Sequence, residues 1–158
     1  MLVVTAPERI PATVLDSPFY GVYYGQAALP MEPDALAILE YDYLKSCTVY
    51  DHETGKTTSV YNMTKLDSRD LYDVFLSGAR ALLTIENPGG QAGKELIVFR
   101  DSFGSSMVPL LIQDYSKVTL VDTRYISSDL LDRYMDFHGQ DVLFLYSALI
   151  LNSSSAIK

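Results

Sequence analysis

Residues 94–125 read KELIVFRDSFGSSMVPLLIQDYSKVTLVDTRY, and their pattern of apolar and polar positions decides the fold. An apolar run at 96–99 is followed by Asp101, and a second run at 118–121 stops at Asp122. Between the runs, apolar residues have helical spacing, which predicts a strand, a tight turn, a helix and a parallel strand. The turn carries Ser102, so we expect a serine hydroxyl at the carboxyl end of a buried strand, where ligands bind in open α/β sheets.

The same alternation continues toward the end of the chain. The predicted elements are strands at 95–100, 117–122 and 141–146, with helices near 105–115 and 127–137. A βαβαβ pattern over residues 94–147, with unbroken apolar strands, predicts an α/β fold whose parallel sheet is covered on both faces. A mixed region precedes it, with a β-hairpin around residues 51–56, a helix beginning near Ser68 and a strand at 81–85.

Length and composition favour one folded domain. The chain has 158 residues, of which 48% are apolar, so we expect a single domain over 1–158. Residues 1–16 are predicted to be an irregular lead-in because Pro7 and Pro11 break regular structure, and the serine-rich residues 152–158 are predicted to fray. No apolar run approaches the ~18 residues that span a bilayer. The first residues also lack the basic start of a secretory signal.

Charge and cysteine content exclude several classes of partner and site. The net charge of −8 disfavours nucleic acid and anionic membrane surfaces, which both need clustered Lys and Arg. The single cysteine, Cys47, excludes an intramolecular disulfide and a cysteine-based zinc site, and we expect it to be a small buried side chain. No glycine-rich phosphate loop and no metal-ligand cluster is visible, so we expect neither a cofactor nor a metal.

Ser102 is the best candidate for a nucleophile. Its hydroxyl is predicted to be exposed, while the N–H groups of the following turn, at Phe103 and Gly104, point at a developing oxyanion. We expect Asp101, Phe103 and Gly104 to line this site. Gly104 additionally lets a substrate approach the backbone. The alternative is that Asp101 or Ser102 merely caps the following helix. A nucleophilic serine also needs a base, and the two histidines, His52 and His138, lack a spacing that identifies either as one.

Two further groups of side chains remain open to more than one interpretation. Four charged residues lie at the ends of neighbouring predicted strands: Arg100, Asp101, Asp122 and Arg124. They form an ion-pair network, or else Arg124 binds a substrate carboxylate or phosphate. An aromatic group precedes them in the chain. It either packs internally or forms a stacking platform for a sugar or peptide, and consists of Phe19, Tyr20, Tyr23 and Tyr24.

Four blocks of sequence, in this order, resemble the DHHW proteins, which belong to the SGNH-hydrolase-like group with the alginate acetylation proteins. The blocks read FYGVYY at 19–24, DLYDVFLSG at 70–78, RDSFGSSMVPLL at 100–111, and DYSKV with VDTRY within 114–125. Members usually carry Lys-Asp-Ser-Tyr, so Arg100 stands for a lysine and Phe103 for a tyrosine. The likeness covers roughly residues 17–146 and implies a partial SGNH- or flavodoxin-like sheet.

The resemblance implies that Ser102 is the nucleophile of an acyl esterase or O-acyltransferase acting on acylated cell-envelope or secreted polysaccharide of bacteria. It places the histidine and aspartate in an Asp-x-His-Trp motif upstream of the aromatic block, and this sequence has no Trp. We therefore expect the carboxyl-terminal part of such a protein, without its full triad. The alternative is a non-catalytic module that binds carbohydrate or a partner. An unpaired sheet edge also predicts a homodimer.

Overall fold

The computed structural model describes residues 10–21, 24, 30–153 and 155, and the chain forms two compact units, Met1–Asp42 and Tyr43–Lys158. The prediction of one domain over 1–158 stays a prediction. The predicted irregular lead-in is wrong from residue 12 onward, where a strand begins. The predicted frayed tail lies largely outside the described residues.

The first unit contains a two-stranded antiparallel sheet. Strand β1 (Ala12–Phe19) pairs with β2 (Asp34–Leu39), from Ala12 opposite Leu39 to Phe19 opposite Asp34. The register shifts between Val14 and Pro18, because a proline in a strand has no N–H to donate to the ladder. Leu15 and Leu36 are the buried apolar side chains of this sheet.

The second unit contains a six-stranded mixed sheet with short helices. Its strands are β3 (Thr48–Asp51), β4 (Lys56–Thr58), β5 (Leu82–Glu86), β6 (Gln91–Arg100), β7 (Tyr115–Val121) and β8 (Asp141–Leu145). The order across the sheet is β4-β3-β5-β7-β6-β8. Strand β6 pairs in parallel with β7 and β8, whereas β5 is antiparallel to β7. The predicted strands and hairpin are therefore present, but the sheet is not wholly parallel.

The predicted helices are shorter than their apolar spacing indicates. The α-helices are α1 (Asp42–Ser46), α2 (Gly104–Met107) and α3 (Ala148–Asn152), and the 3-10 helices are Met63–Lys65, Leu71–Val74, Val108–Asp114 and Ser128–Arg133. The helix expected from Ser68 is only one 3-10 turn. Asp70 caps that turn, and left-handed backbone at Leu76, Ser77 and Gly78 follows it.

The two faces of the sheet differ in what they carry. We call the face that bears Leu82, Val121 and Phe99 the front face, since these residues pair across β5, β7 and β6. They form a buried cluster with Ile97, Ala81, Ile126 and Leu131. On the opposite face, Leu83, Leu120 and Val98 pair across the same strands and are almost fully buried. The core therefore lies on both faces of the central strands.

Strand β8 departs from the prediction of a sheet covered on both faces. It pairs with β6 on one side, and it is an edge strand among the described residues. Its front-face side chains Val142 and Phe144 are 48% and 67% exposed, although the Phe144 ring stacks on Phe99 at 4.9 Å. The apolar run at 141–146 thus belongs to an exposed edge strand rather than a buried one.

Candidate functional site

The predicted nucleophile lies where the pattern of residues 94–125 places it. Strand β6 is central and buried from Leu96 to Arg100, and it ends one residue before the turn that carries Ser102. The Ser102 side chain is exposed. Among the described residues, neither its Oγ nor its N–H has a hydrogen-bond partner. The hydroxyl is therefore free to react at the carboxyl end of the central strand.

Asp101 holds this turn in place and is not a lining residue of a site. It is 1% exposed, and its two carboxylate oxygens accept hydrogen bonds from two backbone N–H groups, Phe103 at 3.0 Å and Ser147 at 2.7 Å. The N–H of Asp101 donates to Leu145 O at 3.3 Å. Asp101 therefore ties the turn after β6 to the end of β8. The following helix has Phe103 at its N-cap without a side-chain cap hydrogen bond, so the predicted cap is wrong for both Asp101 and Ser102.

The N–H groups expected to bind an oxyanion are already used. The Phe103 N–H donates to the Asp101 carboxylate, and the Gly104 N–H donates to the Asp101 carbonyl oxygen at 3.1 Å. The prediction that Phe103 and Gly104 offer free donors is wrong for this geometry, because the tight turn consumes both. The N–H of Ser102 itself remains as a donor at this position. The Phe103 ring is 60% exposed and lies beside Ser102 in the chain.

Tyr72 supports the serine turn from a distant part of the sequence. Its hydroxyl lies 3.1 Å from the carbonyl oxygen of Ser102 and 2.9 Å from Ser106 Oγ. Tyr72 is the second residue of the 3-10 helix Leu71–Val74, and the carboxylate of the N-cap Asp70 accepts its N–H. Both residues belong to the block at 70–78, which carries the family resemblance. The sequence predicted a helix there and missed the tyrosine as part of the site.

Arg100 is enclosed beneath the serine turn and does not contact substrate. It is 0% exposed, and its Nη1 donates to Ser105 Oγ at 3.0 Å and to the Asp101 carbonyl oxygen at 3.3 Å. Its Nε and Nη2 have no partner among the described residues. Burial lowers the pKa of its guanidinium, which the Asp122 carboxylate partly opposes.

Gly104 is required for a reason other than substrate approach. A Cβ atom at Gly104 would lie 2.8 Å from the Cβ of Arg100 and 3.1 Å from its Cγ and Cδ. The glycine thus makes room for the arginine side chain below it. The interpretation of Gly104 as an opening for substrate is corrected accordingly.

Of the predicted ion-pair network, the described residues show one pair, Asp122 with Arg124, whereas Arg100 and Asp101 form no salt bridge among them. The Arg124 guanidinium donates two hydrogen bonds to the Asp122 carboxylate, from Nε at 2.8 Å and from Nη2 at 2.6 Å. Asp122 is 0% exposed, and this hydrogen bonding raises the pKa of the Arg124 guanidinium. The two N–H donors on Nη1 are not used by Asp122, so the binding of a substrate carboxylate or phosphate by Arg124 stays a prediction.

Neither histidine contacts Ser102. His52 follows β3, which is three strand spacings from β6, or ~14 Å at about 4.8 Å each. Its Nε2 lies 2.9 Å from Thr84 Oγ1, and burial lowers the pKa of its imidazole. His138 precedes β8 and lies at the amino end of the parallel strands. The structure therefore brings no histidine to the serine.

The remaining predicted residues are Cys47 in the second unit and the aromatic group in the first. Cys47 is buried, as expected, and burial raises its thiol pKa to about 11. Phe19 ends β1, and the rings of Tyr20 and Tyr24 lie 4.5 Å apart, whereas Tyr23 is outside the described residues. The aromatic platform therefore stays a prediction.

The described residues of the second unit line two clefts, and Ser102 lines neither of them. The larger, about 310 Å³, is lined on the front face by residues of β5, β6 and β7 and by residues 134–140. The smaller, about 290 Å³, is lined by residues 91–95, Gly139 and Asp141. Within the described ranges there is no cluster of three metal-ligating side chains and no helix long and apolar enough to cross a membrane.

Fold and site together define an α/β protein with a free serine at the carboxyl end of a central parallel strand. The family model described as DHHW protein matches residues 16–121, so the chain belongs to the DHHW family. This confirms the resemblance that the sequence blocks carried. No curated protein matches the chain significantly.

Solved structures share this fold at low identity. A DHHW family protein from Eubacterium siraeum is 21% identical, with a TM-score of 0.62 over 94% of this chain and 50% of that one. PatB1 from Bacillus cereus with a sulfonyl adduct is 19% identical, with a TM-score of 0.61 over 90% of this chain and 48% of that one. A second structure of Bacillus cereus PatB1 is 20% identical, with a TM-score of 0.61 over 90% of this chain and 50% of that one. The chain spans about half the length of these structures.

Proposed function

We propose that this chain is the serine-bearing part of an acyl esterase or O-acyltransferase that acts on acylated cell-envelope or secreted polysaccharide. The observation that carries the proposal is the exposed Ser102 hydroxyl, which is unbonded among the described residues. It projects from a turn that Asp101 and Tyr72 hold from two directions. A nucleophile fixed by its surroundings reaches an acyl carbonyl without a large ordering cost. The sulfonyl adduct on PatB1 supports a reactive nucleophile in this fold.

The proposed reaction has two steps. Ser102 Oγ attacks the acyl carbonyl, an ester forms on Oγ, the bond to the leaving oxygen breaks, and the serine proton passes through a base to that oxygen. A sugar hydroxyl or water then attacks the acyl-serine, which releases an O-acylated sugar or a free acid and restores the serine hydroxyl. The Ser102 N–H is the donor available at the turn for the oxyanion of both steps.

The base for these steps comes from outside the residues that surround Ser102. His52 and His138 both lie elsewhere, and the sequence carries no Asp-x-His-Trp motif. We therefore expect this chain alone to react slowly, because a serine without its base loses most of the rate enhancement of a triad.

A labelling experiment tests the proposal. The chain is incubated with a fluorophosphonate, and the modified residue is located by mass spectrometry. We expect slow labelling at Ser102 that disappears in Ser102→Ala and persists in Ser128→Ala, the control at an exposed serine of another segment. Imidazole should accelerate 4-nitrophenyl acetate turnover more in the unmodified chain than in Ser102→Ala. Equal labelling of Ser102→Ala, or none in any variant, defeats the proposal.

A second candidate is a non-catalytic module that binds carbohydrate or a partner. It is favoured by the committed N–H groups of Phe103 and Gly104 and by the absence of a histidine beside Ser102. The neighbouring rings of Tyr20 and Tyr24 are where a stacked ligand would bind in this case. This candidate predicts no labelling and no imidazole effect, so the experiment above separates the two.

Homodimerisation stays a prediction. Its place in the structure is β8, which is an edge strand among the described residues and exposes Phe144. Light scattering after size exclusion should show a dimer that Phe144→Lys reduces to monomer. A monomer in the unmodified chain at high concentration removes the prediction.

A further inference from the structure

The larger cleft lies on the front face of the sheet, far from Ser102. Its floor consists of Thr84 and Glu86 on β5, Thr119 and Lys117 on β7, and Ile97 and Glu95 on β6. Glu95 lies five residues before the end of β6 at Arg100, which corresponds to roughly 17 Å at about 3.3 Å per residue, and Ser102 follows on the turn beyond that end. The cleft is therefore a place separate from the serine turn.

The floor of the cleft is polar where a covered sheet face is usually apolar. The front face carries Val121 and Phe99 toward the carboxyl ends of β7 and β6, and it changes to Thr119 and then Lys117 toward the amino end. Lys117 lies opposite both Glu86 and Glu95, and its ammonium is 2.9 Å from a Glu95 carboxylate oxygen. Thr119 is 7% exposed at the bottom of the cleft. Hydroxyl, carboxylate and ammonium groups thus converge on one enclosed space.

The rim adds an exposed aromatic ring beside an ordered loop. Tyr134 is 51% exposed, and its ring meets the edge of His52, which also contacts Thr84 on the floor. Across the rim, Gln140 donates from Nε2 to the Asp136 carbonyl oxygen at 2.8 Å and accepts the His138 N–H at 2.7 Å. His138 therefore lines the cleft, and His52 lies beside it in contact with two lining residues, Thr84 and Tyr134.

Charge and size limit what such a cleft binds. Its lining contains three carboxylates, on Glu86, Glu95 and Asp136, against the single ammonium of Lys117. This surplus repels anions such as uronates and phosphates. A volume of about 310 Å³ is at the small end of the ~300–1,000 Å³ typical of ligand pockets. An aromatic ring beside hydrogen-bonding groups suits a ligand with one apolar face and many hydroxyls.

We propose that this cleft binds one sugar residue without negative charge, a hexose or a hexosamine, in a glycan chain. The Tyr134 ring covers the C–H face of the sugar, and the carboxylates accept hydrogen bonds from its hydroxyl or ammonium groups. The site goes beyond the proposed function, since it needs no reaction at Ser102. In an enzyme that acts on polysaccharide, it would hold the glycan at a second point.

Backbone amide NMR of the whole chain tests this proposal with three probes: the β-1,4-linked disaccharide of glucosamine, cellobiose and digalacturonate. We expect the first two to shift resonances of cleft residues such as Lys117, Thr119 and His138, and digalacturonate to shift none. Tyr134→Ala and Thr119→Val should each weaken binding about fivefold or more. Phe137→Ala is the matched control, because Phe137 is 53% exposed on the same segment but does not line the cleft.

Far-UV circular dichroism confirms that each variant is folded. The proposal is supported if the glucosamine disaccharide and cellobiose shift resonances of the cleft residues and digalacturonate does not. The proposal is overturned if neither uncharged nor amino sugar shifts the cleft residues, if digalacturonate binds as well as they do, or if Phe137→Ala weakens binding as much as Tyr134→Ala. Ser102→Ala should bind the sugars unchanged, so the loss of fluorophosphonate labelling and the loss of sugar binding report on separate claims.

Discussion

Replacement of Asp101 by asparagine tests whether the turn that presents Ser102 depends on one buried carboxylate. The two oxygens of Asp101 accept the Phe103 N–H at 3.0 Å and the Ser147 N–H at 2.7 Å. An asparagine of the same shape keeps one acceptor and turns an N–H₂ donor toward the other backbone donor. One charge-assisted hydrogen bond is lost, at a cost of about 1.5–3 kcal/mol.

We therefore expect Asp101→Asn to lower the free energy of unfolding by about 2–3 kcal/mol and the melting temperature by roughly 5–10 °C for a chain of this length. Urea titration followed by far-UV circular dichroism measures the first, and a thermal scan the second. Because the turn loosens, fluorophosphonate labelling at Ser102 should slow as well.

Asp141→Asn is the matched control. Asp141 is exposed and accepts one hydrogen bond from the Tyr115 hydroxyl at 2.9 Å, which an amide oxygen also accepts. Its effect should stay within about 0.5 kcal/mol. If Asp101→Asn destabilises the chain no more than Asp141→Asn, the assignment of Asp101 as the residue that ties the turn to β8 is refuted.

Three further predictions follow from burial and close contact. Gly104→Ala should cost about 1–3 kcal/mol in urea titration, since its Cβ meets Arg100 Cβ at 2.8 Å, whereas Gly21→Ala, with nothing within 4 Å, should be near neutral. The Cys47 thiol, with its pKa raised by burial from 9.0 to about 11, should react about 100-fold more slowly with iodoacetamide at pH 8 than in urea; equal rates would contradict its burial. Burial lowers the pKa of His52 below 6.5, so the unfolded chain takes up the proton first. The neutral His52 imidazole should therefore contribute fully to stability above pH 6.5, and this contribution should be lost as pH falls through the folded pKa. His52→Gln should remove this pH dependence from the free energy of unfolding measured by urea titration.

The strands of the second unit were predictable because their signal is local. The runs at 96–99 and 118–121 are long enough and apolar enough to indicate buried strands, and each ends at a polar residue that marks the carboxyl end. The same local reading placed Ser102 on the turn after β6. It predicted a strand at 81–85 but not its position in the sheet, because the antiparallel pairing of β5 with β7 joins residues that are more than 30 positions apart.

The helices show where local patterns stop being informative. Apolar spacing predicted a helix near 105–115, where Val108 and Ile112 are buried, but these two residues lie in a 3-10 helix rather than an α-helix. The spacing identifies which side chains face inward. It does not fix the hydrogen-bond pattern of a short connection between two strands.

The chain's residue order was sufficient to indicate an α/β sheet, a serine after its central strand and membership of the DHHW family. The chemistry around that serine depends on contacts between distant segments: Tyr72 on the Ser102 carbonyl, Ser147 on Asp101, and the Arg100 side chain under Gly104. The polar cleft likewise forms only when β5, β6 and β7 align Thr84, Thr119 and Lys117 with residues 134–140. Periodicity records whether a residue is buried, whereas the partner of each polar atom is fixed only when the chain has folded.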